Sequence, residues 1–166
     1  MPHITFSELK NWNFCPFYHR LVNLEKVKGF KGNEHTAFGS AVHSVCEKSL
    51  LREIKPQDYP ETFLSTFESE IEDLPEDVRS NLDESLVAAM KDQGGPVLAE
   101  LDATLKDYFG EYEVVAVEQR LFEPIREFLS KEYDFKGYID AIFKTSDGKY
   151  HIVDWKTTSW GWGARR

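Results

Sequence analysis

The sequence predicts a mixed α/β (α+β) fold in which helices come first and strands come last. Apolar residues recur at three- and four-residue intervals over residues 36–53, which is the period of a helix with one buried face. The last third carries three runs rich in valine and aromatic residues, at 112–122, 133–144 and 150–158, which are typical of strands. We therefore expect N-terminal helices, then a helix capped by Thr36, then a three-stranded antiparallel meander.

Short capped helices are predicted before residue 28. Thr5 or Ser7 can cap a helix that runs to about Phe14, and Pro16 suits the first turn of a second helix. Two glycines make residues 28–33 a flexible link to the longer helix.

Residues 60–110 are predicted to form an acidic helical insert within the domain. Residues 68–92 hold nine acidic and two basic side chains, a net charge of -7, whereas the whole chain carries -9. The insert is punctuated by Pro75 and by a Gly-Gly-Pro run, and it has no catalytic signature. We interpret it as a solvated helical lid or spacer, because runs of charge are most often exposed faces.

Composition bounds the class of protein. A chain of 166 residues with 41% hydrophobic content can bury one core, so we expect a single domain over residues 1–166. No run of 18 apolar residues and no basic-then-apolar leader occurs, which does not support membrane insertion or secretion. Two cysteines suit a reducing, cytoplasmic compartment. The negative net charge of the whole chain argues against a nucleic-acid partner. However, the residues outside 68–92 carry a net charge of only -2, so a locally basic groove is possible.

Two segments near the C-terminal end place charges on otherwise apolar strands. Residues 135–141 read FKGYIDA and contain Asp140, and residues 152–158 read IVDWKTT and contain Asp154 and Lys156. Side chains alternate along a strand, so Asp154 and Lys156 are expected to share a face. Half-burying such charges costs free energy unless each finds a partner or a metal. We therefore predict that the two carboxylates and the ammonium group converge on a divalent cation.

The order of these segments resembles the PD-(D/E)XK nucleases. A helix with FGSAVH at 38–43 precedes a strand with Glu118, and strands with GYID at 137–140 and DWK at 154–156 follow. The branch most similar in order is that of RecB/AddB-type nuclease domains and CRISPR-associated exonucleases. Residues 9–20, with their Cys-Pro pair, also look like the opening segment of that branch. The resemblance implies a PD-(D/E)XK restriction-endonuclease-like core and covers both ends of the chain, leaving out the acidic insert.

The resemblance implies metal-dependent hydrolysis of phosphodiester bonds, with Mg²⁺ or Mn²⁺ as the cofactor. An imidazole ligand would favour Mn²⁺ relative to a site made only of oxygen atoms. By resemblance, Lys156 lies beside the attacking water and the scissile phosphate, and Glu118 binds a second metal or holds a metal water. The implied metal ligands are His43, Asp140, Asp154 and the Trp155 backbone carbonyl, and the implied catalytic residues are Lys156, Asp140, Asp154 and Glu118.

The branch implies an exonuclease on single-stranded DNA or DNA ends, bacterial or phage-encoded, in recombination, repair or phage DNA metabolism. Candidate DNA contacts are Lys10, Arg20, Lys136, Lys144, Arg165 and Arg166, with Trp160 or Trp162 available to stack on bases. One alternative is a catalytically incomplete nucleic-acid-binding module of the same fold. Another is an interaction protein whose acidic insert contacts a basic partner or mimics DNA.

The chain also departs from the family pattern. Relatives with an iron–sulfur cluster use three cysteines after the catalytic core, and this chain has none after Cys46, so a cluster is not supported. Ile139 stands where the family's nominal signature has proline. The family core continues into a helix with a Gln-x-x-x-Tyr motif, which is absent before Arg166. We therefore expect a fragment of a longer protein or a short variant with an incomplete core.

Each site residue also has a purely structural interpretation. A zinc site could be drawn from two Cys/His pairs, although their spacing is atypical of closed tetrahedral sites. That zinc set would be Cys15, His19, His43 and Cys46. Otherwise His43 could be an ordinary histidine at the margin of a buried stripe. Glu118 could form an ion pair with Arg120 or Arg126, and Asp140 could form one with Lys156.

Overall fold

The computed structural model describes residues 2–27, 29–125 and 133–158. In these ranges it contains seven α-helices and a four-stranded mixed sheet, so the predicted α+β class is confirmed. The helices are α1 (Phe6–Phe14), α2 (Pro16–His19), α3 (Glu34–Leu50), α4 (Tyr59–Glu72), α5 (Glu76–Arg79), α6 (Glu84–Ala99) and α7 (Leu101–Phe109). The strands are β1 (His3–Thr5), β2 (Tyr112–Ile125), β3 (Tyr133–Thr145) and β4 (Tyr150–Val153).

The chain divides into two compact units. The N-terminal unit comprises Met1–Phe30 and Glu118–Ile139, and the helical unit comprises Lys31–Val117 and Asp140–Arg166. The division falls within both long strands, so β2 and β3 each contribute residues to both units.

The N-terminal unit follows the predicted caps. Thr5 caps α1 and its hydroxyl accepts a hydrogen bond from the Glu8 N–H at 3.1 Å, as expected of an N-cap threonine. Pro16 occupies the start of α2, where its missing N–H costs nothing. The chain continues into a π-helical turn at Arg20–Leu24. Strand β1, which is too short to be recognised from sequence, pairs in parallel with β3 and places His3 opposite Asp134.

Helix α3 is the central helix of the helical unit. It begins at Glu34 rather than Thr36, because Asn33 is the cap and Thr36 completes a reciprocal capping box with it. It ends at Leu50, three residues before the predicted end. The predicted buried face is confirmed, since Ala41 and Val45 are fully buried.

The insert is helical, as predicted, but part of its surface is buried in the core. On α4, Phe63 and Phe67 are fully buried and stacked on each other, and they pack in one core cluster with residues of α3 and α6. A Cβ at Gly94 would lie 2.1 Å from the Phe63 ring, so glycine is what allows α6 to approach α4 this closely. The insert therefore supplies much of the core and is not a spacer.

The sheet ends differently from the predicted meander. Strand β4 pairs antiparallel with β3, with Ala141 opposite Val153, and it stops there instead of at Thr158. Beyond this end of β4, the Trp155 N–H donates to the Asp140 side chain and not to a strand backbone. Strand β3 also pairs with β1 and lies next to β2. None of the described helices combines the length and apolarity needed to cross a bilayer.

Candidate active site

His43 and Asp140 meet at the backbone of Trp155. The Nε2 atom of His43 lies 2.8 Å from the Trp155 carbonyl oxygen, and the Trp155 N–H donates to Asp140 Oδ2 at 2.7 Å. His43 Nδ1 lies 3.7 Å from the same Asp140 oxygen. The two side chains are 34% and 15% exposed. We call His43, Asp140 and the Trp155 backbone the inner group.

The hydrogen bonds of the inner group determine what faces Asp140. A carbonyl oxygen only accepts, so the bond to Trp155 requires the proton on His43 Nε2. In the neutral imidazole, Nδ1 then carries a lone pair that faces the Asp140 carboxylate at 3.7 Å. Two acceptors at this distance repel unless a proton or a cation lies between them. An imidazole nitrogen beside a carboxylate oxygen is a suitable donor set for a divalent transition metal, so the residues fit the expected metal.

The spacing of Gly39 and His43 has a structural reason. Residues four apart lie on the same side of a helix, one turn from each other. A Cβ at Gly39 would lie 3.3 Å from Thr157 Oγ1, a tight contact that the glycine avoids. The segment after β4 therefore lies close along α3, with Thr157 at Gly39 and the Trp155 carbonyl at His43.

Beneath the inner group lies Cys46, which is 2% exposed. Its burial raises the pKa of the thiol to about 12, and the negative charge of Asp140 adds to the shift. The thiol is therefore neutral and packs as an apolar side chain. The zinc alternative requires the buried Cys46 sulfur as a ligand, and His19 is already hydrogen-bonded to Glu8 at 3.0 Å, so nothing in the described residues favours it.

Asp154 and Lys156 form a second, more exposed part of the site. Lys156 Nζ lies 2.5 Å from Asp154 Oδ1 and 3.3 Å from the Trp155 carbonyl oxygen, and the two side chains are 57% and 59% exposed. The two side chains are in contact although both residues follow the end of β4, so strand alternation is not what brings them together. We call them the outer pair. Among the described residues, Lys156 pairs with Asp154 and forms no ion pair with Asp140.

Glu118 lies in β2 and is the first residue of the second segment of the N-terminal unit. It is exposed, and its φ of 48° places it in the left-handed region, which a non-glycine residue adopts at a cost in strain. Such strained residues cluster at functional sites. Sequence reasoning selected Glu118 by resemblance alone, and the backbone angle is a signal that sequence does not carry.

Three of the candidate DNA-contacting lysines lie over exposed aromatic rings. The Nζ atoms of Lys10, Lys136 and Lys144 lie 5.6 to 5.8 Å from the ring centroids of Phe6, Tyr138 and Tyr150 respectively. Each pair offers both a positive charge and a stacking surface. A further candidate, Arg20, pairs with Glu25 at 2.6 Å. The remaining candidates lie outside the described residues, as does the alternative Glu118 partner Arg126; they are Trp160, Trp162, Arg165 and Arg166.

An imidazole and a carboxylate at the edge of a mixed sheet, with a lysine close by, are groups that could hold a divalent metal beside a phosphate. The chain matches the family model of the PD-(D/E)XK nuclease superfamily over residues 3–162. Because the match spans nearly the whole chain, the protein belongs to the PD-(D/E)XK nuclease superfamily, whose members are metal-dependent nucleases. The match defines the superfamily without selecting a branch. No curated protein matches the chain.

Proposed function

We propose that the protein is an Mg²⁺- or Mn²⁺-dependent deoxyribonuclease, an exonuclease that acts on single-stranded DNA or DNA ends. We place it in the RecB/AddB-type and CRISPR-associated-exonuclease branch, in the cytoplasm, in recombination, repair or phage DNA metabolism. Superfamily membership supports the nuclease activity. The observation that carries the proposal is the 3.7 Å approach of His43 Nδ1 to Asp140 Oδ2, an arrangement that a cation between the two atoms would stabilise.

The inner group supplies the first proposed metal ligands, namely His43, Asp140 and the Trp155 carbonyl oxygen. Asp154 completes the set when it turns away from Lys156, with which it forms an exposed ion pair of low intrinsic stability. By resemblance to the family, we propose that Glu118 binds a second metal or holds a metal-bound water. When bound, the metal offsets phosphate charge and lowers the pKa of the attacking water.

Lys156 is the proposed electrostatic catalyst. Its ammonium group carries a full charge and is more than half exposed, so a phosphate can reach it. If Asp154 turned to a bound metal, Lys156 would lose its partner and could orient the attacking water and stabilise the charge that develops on the phosphate.

The charge distribution supports a nucleic-acid substrate despite the acidic chain. The N-terminal unit holds eight basic against seven acidic residues, whereas the helical unit holds twelve against twenty-two. In the N-terminal unit, Phe6, Trp12, Phe14 and Phe17 are each more than half exposed. Bases are free to stack on aromatic rings in a single strand but not in a duplex, which is why we propose a single-stranded substrate.

Cleavage of matched DNA substrates tests the proposal. End-labelled linear single-stranded DNA, the same strand circularised, and its blunt duplex are incubated with Mn²⁺, Mg²⁺ or a chelator. We expect degradation of the linear strand with metal only, and an intact circle. Cutting of the circle would make the protein an endonuclease, and metal-independent cutting would contradict the proposed centre. His43→Ala should weaken Mn²⁺ binding more than Mg²⁺ binding in calorimetry, since Mg²⁺ gains little from imidazole.

A binding module without turnover is the second candidate. The Asp154–Lys156 ion pair favours it, because both residues then satisfy each other and neither serves catalysis. Salt-sensitive binding of single-stranded DNA without cleavage under either metal would select this alternative.

A further inference from the structure

A cavity of about 310 Å³ in the helical unit adjoins the segment that carries Lys156. Its rim includes Thr157 and Thr158, which follow Lys156 directly. One wall comes from α3 and the other from a single face of α6. The lining residues are His35 and Phe38 of α3, Leu86, Ala89, Met90 and Gln93 of α6, and the two threonines.

The walls of this cavity are held by the core behind them. The Phe38 ring makes edge-to-face contacts with Phe63 and Phe67, with centroids 5.3 and 6.0 Å apart. Gly94, the neighbour of Gln93, fixes the close packing of α6 against Phe63. The two helical walls are therefore preformed, as is usual for ligand sites.

The residues that line the cavity suit the base of a nucleotide better than its phosphate. Among the described residues that line it, none is Asp, Glu, Lys or Arg and the one basic group is the His35 imidazole, so a phosphate there would have no permanent counter-charge. Phe38, Leu86 and Met90 offer an apolar surface, and the Gln93 amide offers both a donor and an acceptor. A flat, uncharged heterocycle with hydrogen-bonding edges matches this surface, and the volume lies at the small end of ligand cavities.

We propose that this cavity binds a nucleobase of the DNA strand being cut, at a nucleotide close to the scissile phosphate, and that Gln93 reads its hydrogen-bonding edge. The proposal rests on the proposed nuclease function and gives the acidic insert a role in substrate recognition. Because the cavity adjoins the segment that carries Lys156, one base would enter the cavity while the adjoining phosphate lies at Lys156.

An abasic scan tests the proposal. A single-stranded DNA oligonucleotide carries one tetrahydrofuran abasic residue, moved one position at a time, and single-turnover cleavage with Mn²⁺ at a defined phosphate is measured. We expect one position to lower kcat/KM by roughly tenfold, within the range for losing one base contact. Equilibrium binding of the same oligonucleotides, by fluorescence anisotropy with Ca²⁺ as the metal, provides a readout that needs no cleavage.

Two variants connect that position to the cavity. Ala89→Phe fills the cavity from an exposed position of α6, and Ala99→Phe, exposed at the end of the same helix and outside the cavity, is the matched control. Ala89→Phe should remove the abasic effect, whereas Ala99→Phe should keep it. Gln93→Leu keeps the side-chain size and should reduce the rate difference between oligonucleotides with adenine and thymine at that position.

The outcomes separate the two proposals. Cleavage that depends on no single base, or an abasic effect that survives Ala89→Phe, overturns the base site and leaves the nuclease function standing. Position-specific loss of binding without cleavage by any variant contradicts the nuclease function and supports the base site. Absence of both binding and cleavage overturns both.

Discussion

The inner group and the outer pair adjoin each other at Trp155, which lies between Asp154 and Lys156 in the sequence. Their environments differ. His43 and Asp140 are largely covered and are tied to the Trp155 backbone from both sides. Asp154 and Lys156 are more than half exposed and are tied to each other. A covered, hydrogen-bonded group keeps its geometry, whereas an exposed ion pair contributes little stability and rearranges at low cost.

This difference suggests a division of roles within the site. The inner group is positioned before substrate arrives, because the fold fixes both its side chains. The outer pair can exchange partners, so Asp154 can turn to a metal and Lys156 to a phosphate. Four substitutions test this division, from the largest expected effect to the smallest.

Asp140→Asn should abolish the inner group's function. The amide keeps the size and can still accept from the Trp155 N–H, but it lacks the charge that a metal requires. We expect Mn²⁺ binding to be lost in calorimetry and cleavage to fall by about 10³-fold or more. Asp107→Asn, on the exposed face of α7, is the control and should behave as wild type. Equal Mn²⁺ affinity in wild type and Asp140→Asn would remove the metal assignment.

Lys156→Ala should affect turnover and leave metal binding intact. A residue that stabilises charge only in the transition state lowers the cleavage rate by about 10²-fold when it is removed. Single-turnover cleavage of end-labelled single-stranded DNA measures the effect, and thermal unfolding should show an unchanged midpoint. Lys149→Ala removes another exposed lysine that is paired with an aspartate, and it should cut at the wild-type rate. If Lys156→Ala also cuts at that rate, the lysine is structural.

Asp154→Asn tests whether the outer pair contributes less to metal binding than the inner group. If Asp154 joins the metal only after leaving Lys156, its loss should weaken Mn²⁺ binding by about tenfold, less than the loss of a fixed ligand. Calorimetry of Asp154→Asn and Asp140→Asn compares how much Mn²⁺ affinity each variant loses. Identical losses in the two variants would show that the outer pair is as fixed as the inner group.

Gly39→Ala should separate stability from activity. Alanine favours a helix interior over glycine by up to about 1 kcal/mol, so the unfolding midpoint should hold or rise. The new Cβ meets Thr157 Oγ1 at 3.3 Å and should displace the segment that carries Trp155 and Lys156, with a few-fold loss of cleavage. Thr157→Ala in the same chain removes that oxygen and should restore the rate. A rate that stays low in the double variant would place the defect elsewhere.

Much of the fold follows from local pattern. Apolar residues recur with a period of 3.6 along α3 and of 2 along β3 and β4. Each period is recognisable from a few consecutive residues of the sequence. The cap of α1 was predicted at Thr5 or Ser7 and is Thr5, whereas the cap of α3 was predicted at Thr36 and is Asn33. Both residues accept or donate in the same capping box, so sequence alone does not identify the first helical residue.

The sequence by itself determined which chemical groups the site contains, because the order of the Gly-x-x-x-His, Gly-x-x-Asp and Asp-x-Lys segments is a property of the chain. Only the tertiary structure decided how these groups are divided. His43 meets the Trp155 carbonyl across 112 residues of sequence, and that contact exists only once α3 packs beside the end of β4. The same packing places Asp140 within the inner group and leaves Asp154 with Lys156. Hydrogen bonding between distant segments carries no local sequence period, so the division could be read only from the folded chain.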